Sequence, residues 1–189
     1  MNADQNARIE VDSLIDIISR AQAGGRDAFD ELLLHFEEKI LKTAFYLVRN
    51  LYDAQDVAQE VYVKIFRNIH HCQDPDRIEN WIYRITVNAA RDHLRKRSFF
   101  LPLSNIVRGI HSRDPVYREE IRNALSEALK ILSFNEKAVL IFKVLEEKST
   151  AEISEILGCR DVTVRTHLHS ARKKLQKHLK DFGRELWTD

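Results

Sequence analysis

The chain has 189 residues, of which 44% are hydrophobic and 31% are charged, and its formal net charge is only +1. This composition predicts one or two globular domains and excludes a disordered tail. The sequence has no apolar run near the ~20 residues that a membrane span requires and no signal-peptide core at its N-terminus, so we expect a cytoplasmic protein without membrane insertion.

The scarcity of turn-forming residues predicts an all-α fold. Five glycines and three prolines leave long uninterrupted stretches with helical periodicity. An amphipathic segment at 14–23 ends at Gly24 and Gly25, which can adopt the left-handed conformation that stops a helix. Asp27 is the predicted N-cap of the second helix, and Asp53 is the predicted N-cap of the third.

A fourth helix is predicted to begin by residue 79, after a loop at 70–77. Four polar residues recur along it at i, i+4, i+7 and i+11 and therefore share one face: Arg84, Asn88, Arg91 and Arg95. Trp81 falls on the apolar stripe and is expected in the core, whereas Tyr83 is expected to contact a ligand together with Arg84 and Asn88. Cations beside an aromatic ring suit single-stranded nucleic acid, whose unstacked bases can lie on the ring.

Residues 98–117 are predicted to form an irregular linker between two small helical domains. The helical period is lost there, and two of the three prolines fall in this segment. After it, two Ser-x-x-Glu capping boxes predict helix starts, one at Ser133 with Glu136 and one at Ser149 with Glu152. The second half of the chain is therefore also predicted to be helical.

The end of the second domain predicts a helix-turn-helix. Gly158 ends a short helix, and a longer helix with Thr163 as its predicted N-cap follows. In such a motif the second helix lies in a DNA major groove, which places Arg165 and Thr166 to read base edges. His169 also faces outward, and the cations further along suit phosphates: Arg172, Lys173, Lys174 and Lys177. The alternative is a solvated basic helix that satisfies its own dipole.

Neither a metal site nor catalytic chemistry is indicated. His70, His71 and Cys72 are adjacent on a loop and cannot easily converge on one tetrahedral ion. Cys72 and Cys159 are far apart and form no CxxC pattern, so we expect no disulfide framework. The sequence has no Gly-rich phosphate loop or nucleophile elbow, and its acids are expected on solvent faces. We therefore expect no cofactor and no enzymatic activity.

Three segments, in this order, resemble the sigma-70 family of bacterial transcription initiation factors, and within it the small extracytoplasmic-function (ECF) group. They are DAQDVAQEVYVKIFRNI at 53–69, NWIYRITVNAARDHLRKR at 80–97 and STAEISEILGCRDVTVRTHLHSARKKL at 149–175. The resemblance implies a protein that binds core RNA polymerase, recognises the minus-ten and minus-thirty-five promoter elements and helps to open the DNA. It implies sigma region 2 at 12–98, a linker at 99–117 that threads through the polymerase, and sigma region 4 at 118–182.

The resemblance also implies roles for individual residues. The surface that binds the clamp helices of the largest polymerase subunit corresponds to Asp53, Asp56, Gln59, Glu60 and Lys64. Minus-ten recognition and melting correspond to Tyr83, Arg84, Asn88, Arg91, Arg95 and Lys96. The loop that holds a flipped base corresponds to His70, His71, Cys72, Gln73 and Asp74. Minus-thirty-five recognition corresponds to Thr163, Arg165, Thr166, His169, Arg172 and Lys173.

Further partners implied by the group are the flap of the second-largest polymerase subunit, promoter DNA and an anti-sigma factor. This chain has Val162 where the family often has Gly, and His167 and Ser170 where Arg is usual, which predicts altered minus-thirty-five contacts.

Two rival interpretations stay open. One is a stand-alone helix-turn-helix regulator that binds duplex DNA without polymerase, and the other is an adaptor that binds polymerase and never reads DNA. Dependence on polymerase distinguishes them.

Overall fold

The computed structural model describes residues 14–72, 74–100 and 129–178. Every regular element in these ranges is a helix, and the chain divides into two compact units between Ser104 and Asn105. The predicted all-α fold with two small helical domains is confirmed. The predicted linker lies outside the described residues, except that helix continues as far as Phe100. Within the described ranges, no helix is long and apolar enough to cross a membrane.

The described part of the N-terminal unit contains four α-helices. They are α1 at residues 14–22, α2 at Arg26–Val48, α3 at Leu51–Asn68 and α4 at Ile78–Phe100. Two short 3-10 turns, Ile69–His71 and Pro75–Arg77, lie between α3 and α4, where the sequence predicted an irregular loop. α2, α3 and α4 pack against one another, so the surfaces of α3 and α4 are carried on one shared core.

The core of this unit is built from the apolar stripes of its helices. Its largest fully buried side chains are Ile18, Leu32, Phe36, Ile40, Leu47, Ile65, Ile78, Ile82 and Tyr83. Each such side chain contributes about 1.5–3 kcal/mol when it is removed from water. An ion pair between Lys39 Nζ and Glu79 Oε1, at 2.5 Å, joins α2 to the first turn of α4. The core thus fixes where the outer faces of α3 and α4 lie.

Two predicted N-caps in this unit are wrong. α2 begins after Gly25, whose carbonyl accepts a hydrogen bond from the Phe29 amide at 3.1 Å, and no side chain caps this helix. Asp27 lies instead in the first turn, where its negative charge suits the positive end of the helix dipole. α3 is capped by Asn50, whose Oδ1 accepts from the Asp53 amide at 3.1 Å. Asp53 is thereby free to use its carboxylate elsewhere.

The described part of the C-terminal unit contains α5 at Phe134–Val144, α6 at Thr150–Leu157 and α7 at Asp161–His178. Both predicted capping boxes are present. The Ser133 amide donates to Glu136 Oε2 at 2.7 Å, and the Ser149 amide donates to Glu152 Oε2 at 2.8 Å. Gly158 ends α6 in the left-handed conformation, with φ of 63°, as predicted. α6, the turn and α7 form the predicted helix-turn-helix.

Candidate nucleic-acid interface

The outward face of α4 is polar and basic. Arg84, Asn88, Arg95 and Lys96 are exposed, and Arg91 is partly exposed. Arg91 Nη1 donates to Asn88 Oδ1 at 3.0 Å. Because this bond occupies the oxygen of the Asn88 amide, its NH2 group is left to donate to an acceptor outside the protein. α4 therefore displays four cations and an oriented amide along one face.

The aromatic residue expected on this face is not there. Tyr83 is only 1% exposed and lies in the core, whereas Trp81, expected in the core, is partly exposed. α4 packs against both α2 and α3, so its buried arc is wide enough to include position 83. The predicted contact between Tyr83 and DNA is therefore wrong, and Trp81 is the aromatic side chain nearer the surface.

The segment before α4 displays only part of the predicted loop. His70 and His71 are exposed, with ring centroids 4.0 Å apart. Asp74 is also exposed, and its Oδ1 accepts from the Asp76 amide at 3.2 Å at the start of the second 3-10 turn. Cys72 is 6% exposed, and burial raises the pKa of its thiol, so its predicted place in a base pocket is wrong. Gln73 lies outside the described residues.

Asp53 does not belong to an outward surface of α3. Its carboxylate, 17% exposed, pairs with Arg97 through Oδ2 and lies 3.3 Å from His93 Nε2 through Oδ1. Both partners are on α4, so Asp53 ties the first turn of α3 to the last turns of α4. These contacts give Asp53 a role inside the protein, and its predicted contact with polymerase stays a prediction. Arg97 is paired with Asp53 within the protein.

The rest of the predicted docking set lies on the outer side of α3. Asp56 and Gln59 are exposed, and Glu60 Oε1 pairs with Lys64 Nζ at 2.7 Å one turn along the helix. The same side carries two large apolar side chains that the sequence analysis missed, Tyr52 at 78% and Val63 at 47% exposure. With Asp56 and Gln59 they follow the spacing i, i+4, i+7 and i+11, which is the signal that could have identified them.

Local hydrogen bonds fix the start of each helix of the helix-turn-helix. At the start of α6, hydrogen bonds from Ser149 lower the pKa of Glu152. α7 begins at Asp161, and the Arg160 carbonyl accepts from the amides of Thr163 and Val164 at 2.8 and 3.2 Å. Thr163 therefore lies inside the first turn and is not the N-cap that was predicted.

α7 separates its polar residues into an outer and an inner set. The exposed outer set is Arg165, Thr166, His169, Arg172 and Lys173. The Thr166 hydroxyl donates to the Val162 carbonyl at 2.8 Å, which holds this exposed side chain against its own helix. The inner stripe, Val164, Ala171 and Leu175, is buried against the other helices of the unit. In a helix-turn-helix, the outer face of the second helix is the one that can lie in a major groove.

A buried carboxylate anchors α7 from behind. Glu136 on α5 is 5% exposed, which contradicts the expectation that acids lie on solvent faces. Ser170 Oγ donates to its Oε1 at 2.5 Å, and Lys174 Nζ donates to its Oε2 at 2.7 Å. Burial opposes ionisation, but the hydrogen bonds from Lys174, Ser170 and Ser133 outweigh it and lower the pKa of Glu136 to about 2. Lys174 is thus paired within the protein, although its side chain is 42% exposed, and its predicted contact with a phosphate stays a prediction.

Comparison with known proteins places these surfaces in a family. The model of sigma-70 region 2 matches residues 32–100, and the model of sigma-70 region 4 matches residues 122–175. The first match contains α3 and α4 with the segment between them. The second match contains the helix-turn-helix and its buried anchor. Both basic surfaces therefore fall inside recognised sigma regions, in the order that the sequence predicted.

Relatives of similar length are also sigma factors. The ECF RNA polymerase sigma factor SigW of Bacillus subtilis is 29% identical over 178 residues, which is 87% of this chain and 95% of SigW. The RNA polymerase sigma factor SigV of Bacillus subtilis is 30% identical over 145 residues, which is 76% of this chain and 86% of SigV. A solved structure of the sigma factor RpoE with the anti-sigma factor NepR, from Bartonella quintana, has a TM-score of 0.65 at 20% identity, covering 80% of this chain and 96% of RpoE. This chain belongs to the sigma-70 family of RNA polymerase sigma factors, in the extracytoplasmic-function group.

Proposed function

We propose that this sigma factor directs core RNA polymerase to promoters through three separate surfaces. The first is the docking surface, made of Tyr52, Asp56, Gln59, Glu60, Val63 and Lys64 on α3. The second is the melting surface, made of Arg84, Asn88, Arg91, Arg95 and Lys96 on α4 with His70, His71 and Asp74 beside it. The third is the recognition surface, made of Arg165, Thr166, His169, Arg172 and Lys173 on α7. The observation that carries the proposal is that the exposed cations are divided between two folded units.

The melting surface suits opened rather than closed DNA. Its cations can follow a phosphate backbone, while the Asn88 amide, oriented by Arg91, offers donors to one base edge. Trp81 supplies a partly exposed ring next to them. A surface of this kind binds the unpaired strand more tightly than the duplex. Its binding to the unpaired strand therefore drives opening of the minus-ten element.

The docking surface suits a protein partner. Two exposed apolar side chains, Tyr52 and Val63, flank polar residues along a single helix face. Interfaces of this composition are typical of transient protein complexes, in which apolar contacts supply affinity and charges select the partner. The clamp helices of the largest polymerase subunit are the partner that we assign, and the flap of the second-largest subunit is assigned to the C-terminal unit.

The recognition surface suits duplex DNA. Arg165 and Thr166 lie in the first turns of α7, which enter a major groove most deeply, and Arg172 and Lys173 lie further along, where they reach phosphates. Ser170 and Lys174 bond to Glu136. The absence of Arg at position 170 therefore reflects a contact inside the protein.

Regulation by an inhibitory protein is part of the proposal, because RpoE of Bartonella quintana was solved with an anti-sigma factor. We place the protein in the cytoplasm, where polymerase and promoters meet, and assign it no catalysis of its own. The stand-alone regulator is the less favoured alternative, because the match to sigma region 2 gives the N-terminal unit a role beyond sensing or dimerisation.

Core-dependent transcription tests the proposal. The purified protein should confer specific initiation on core polymerase at promoters from a genomic library and should bind the same duplexes weakly alone. Asp56→Arg should abolish this activity by reversing a charge on the docking surface, whereas Asp30→Arg, an equally exposed acid on α2, should preserve it. A protein that protects its promoter fully without core, and adds no initiation when core is present, would be a stand-alone regulator.

A further inference from the structure

The 3-10 turn at 69–72, which precedes α4, is held from α1 by one side chain. Gln22 Nε2 donates to the Ile69 carbonyl at 3.1 Å and to the Cys72 carbonyl at 2.7 Å. The Cys72 amide closes the same turn by donating to the Ile69 carbonyl at 3.0 Å. Both N–H groups of the Gln22 side-chain amide therefore donate to this one turn, one to each of its ends. The turn lies about fifty residues further along the chain.

The two middle residues of the turn are exposed, and its two end residues are buried. Ile69 and Cys72 are 4% and 6% exposed, whereas His70 and His71 between them are exposed. Because Gln22 fixes the carbonyls of both end residues, it also fixes the arc along which the two imidazoles are presented. The exposed rings, 4.0 Å apart, belong to the melting surface that we assigned above.

The buried side chains of Ile69 and Cys72 belong to the core, but the space between the turn and α1 is not filled. A cavity of about 360 Å³ lies between α1 and the turn, lined by Gln22, Gly24, Gly25, Phe29, Phe66 and His70 among others. The space beside the turn is therefore open where a packed core would otherwise support it. The Gln22 amide crosses from α1 to the turn at this place, so its two hydrogen bonds join the turn to α1 beside the open space.

We propose that Gln22 is a positioning residue for promoter opening: it holds the 69–72 turn in the one shape that presents His70 and His71 to a flipped base, and so determines which base is accepted. The inference rests on the proposed melting surface. Gln22 touches no DNA in this scheme and acts only through the turn. It also gives α1, outside the match to region 2, a part in base selection.

Base discrimination on opened DNA is the measurement that separates positioning from general stability. Core polymerase carrying each variant is bound to promoter fragments that are pre-melted across the minus-ten element, with each of the four bases placed in turn at every position of the unpaired strand. Gln22→Met keeps the length and packing of the side chain but has no donor. It should reduce discrimination at one position about five- to tenfold, since two hydrogen bonds are lost. Affinity for the fragments taken together should change by less.

Two variants control for charge and for helix position. Gln22→Lys supplies a donor again and should restore part of the discrimination, because a ratio between bases is insensitive to added phosphate affinity. Ser19→Ala removes an exposed hydroxyl that bonds only within α1 and should behave as the wild type. Reactivity of the buried Cys72 thiol, measured in a Cys159→Ser background, reports the turn directly and should rise about five- to tenfold in Gln22→Met.

The outcomes distinguish this inference from the function on which it rests. If the wild type discriminates and Gln22→Met discriminates equally, or loses affinity uniformly for all bases, the positioning role is overturned. If the wild type shows no discrimination at any position, the melting surface itself is overturned, and the positioning role with it. Loss of discrimination at one position, together with faster modification of Cys72, would establish the inference.

Discussion

Replacing Glu136 by Gln should loosen the recognition helix by an amount that can be worked out from its contacts. The carboxylate accepts hydrogen bonds from Ser133, Ser170 and Lys174, and these lower its pKa from 4.5 to about 2 despite burial. A difference of about 2.5 pH units corresponds to about 3 kcal/mol of folding free energy. Since the Lys174 side chain is 42% exposed, water screens part of its charge, and we expect about 2 kcal/mol in practice.

Hydrogen exchange in the full-length protein measures this loss locally. The Gln amide keeps one oxygen for the Ser133 cap but removes the negative charge that binds Lys174. At pH 7, protection of the α5 and α7 amides should fall about thirtyfold in Glu136→Gln, which is the expected free energy expressed as a ratio. Glu147→Gln, which neutralises an exposed acid in the loop after α5, should leave protection unchanged. Equal protection in the wild type and Glu136→Gln would refute the reasoning.

The pH dependence has a definite sign. The folded pKa of Glu136 lies below the unfolded value, so its contribution is fully present above about pH 5 and is lost as pH falls toward 2. The advantage of the wild type over Glu136→Gln should therefore shrink below pH 4.5, with more than half of it gone at pH 3 after correction for intrinsic exchange rates. A difference that stays constant from pH 7 to pH 3 would mean that the charge of Glu136 is not the source of the stabilisation.

Other substitutions test the remaining surfaces. Arg165→Ala should weaken minus-thirty-five binding by about 1–3 kcal/mol and relax base preference in a randomised minus-thirty-five library, and an unchanged library profile would contradict the assigned base contact. Asn88→Ala should slow initiation on linear promoters more than on pre-melted ones, so equal effects on both templates would exclude a role in opening. Asp53→Asn should lower the free energy of unfolding by about 1–2 kcal/mol in urea titrations followed by circular dichroism, whereas Asp56→Asn on the exposed side of α3 should not. Gly158→Ala should cost about 1 kcal/mol and lower the Tm, because the left-handed φ of 63° strains any residue with a Cβ; a Tm equal to the wild type would show that the turn relaxes.

Features set within one helical turn could be predicted from the sequence. Both capping boxes and the glycine that ends α6 depend on residues at most four apart, so the local pattern contains all the information that they need. The amphipathic stripes of α2 and α3 are also local, which is why the all-α fold and the order of helices were confirmed. The family resemblance then assigned the helix faces to partners.

Contacts between distant segments could not be predicted in this way. Asp53 meets Arg97 across forty-four residues, and Glu136 meets Lys174 across thirty-eight. The local pattern predicted Glu136 only as a capping-box residue and Asp53 only as an N-cap. Neither pattern indicates the distant partner, because that partner is determined by helix packing. The prediction for Tyr83 is wrong for a related reason. Its position on the helix is readable, but the width of the buried arc depends on α2 and α3 both covering α4.

The division of labour along α7 has a practical consequence for retargeting. The residues that hold the helix, Ser170 and Lys174, alternate in sequence with residues that face outward, but their side chains bond to Glu136 on α5. Arg165, Thr166, His169, Arg172 and Lys173 can therefore be exchanged as a set for those of another sigma factor, provided that Glu136 and its two partners are retained. A chimera made by transplanting the whole helix would break the anchor wherever the donor helix lacks the serine and the lysine that bond to Glu136. Variants that differ only in these outer residues could therefore recognise different promoters independently of one another in one cell.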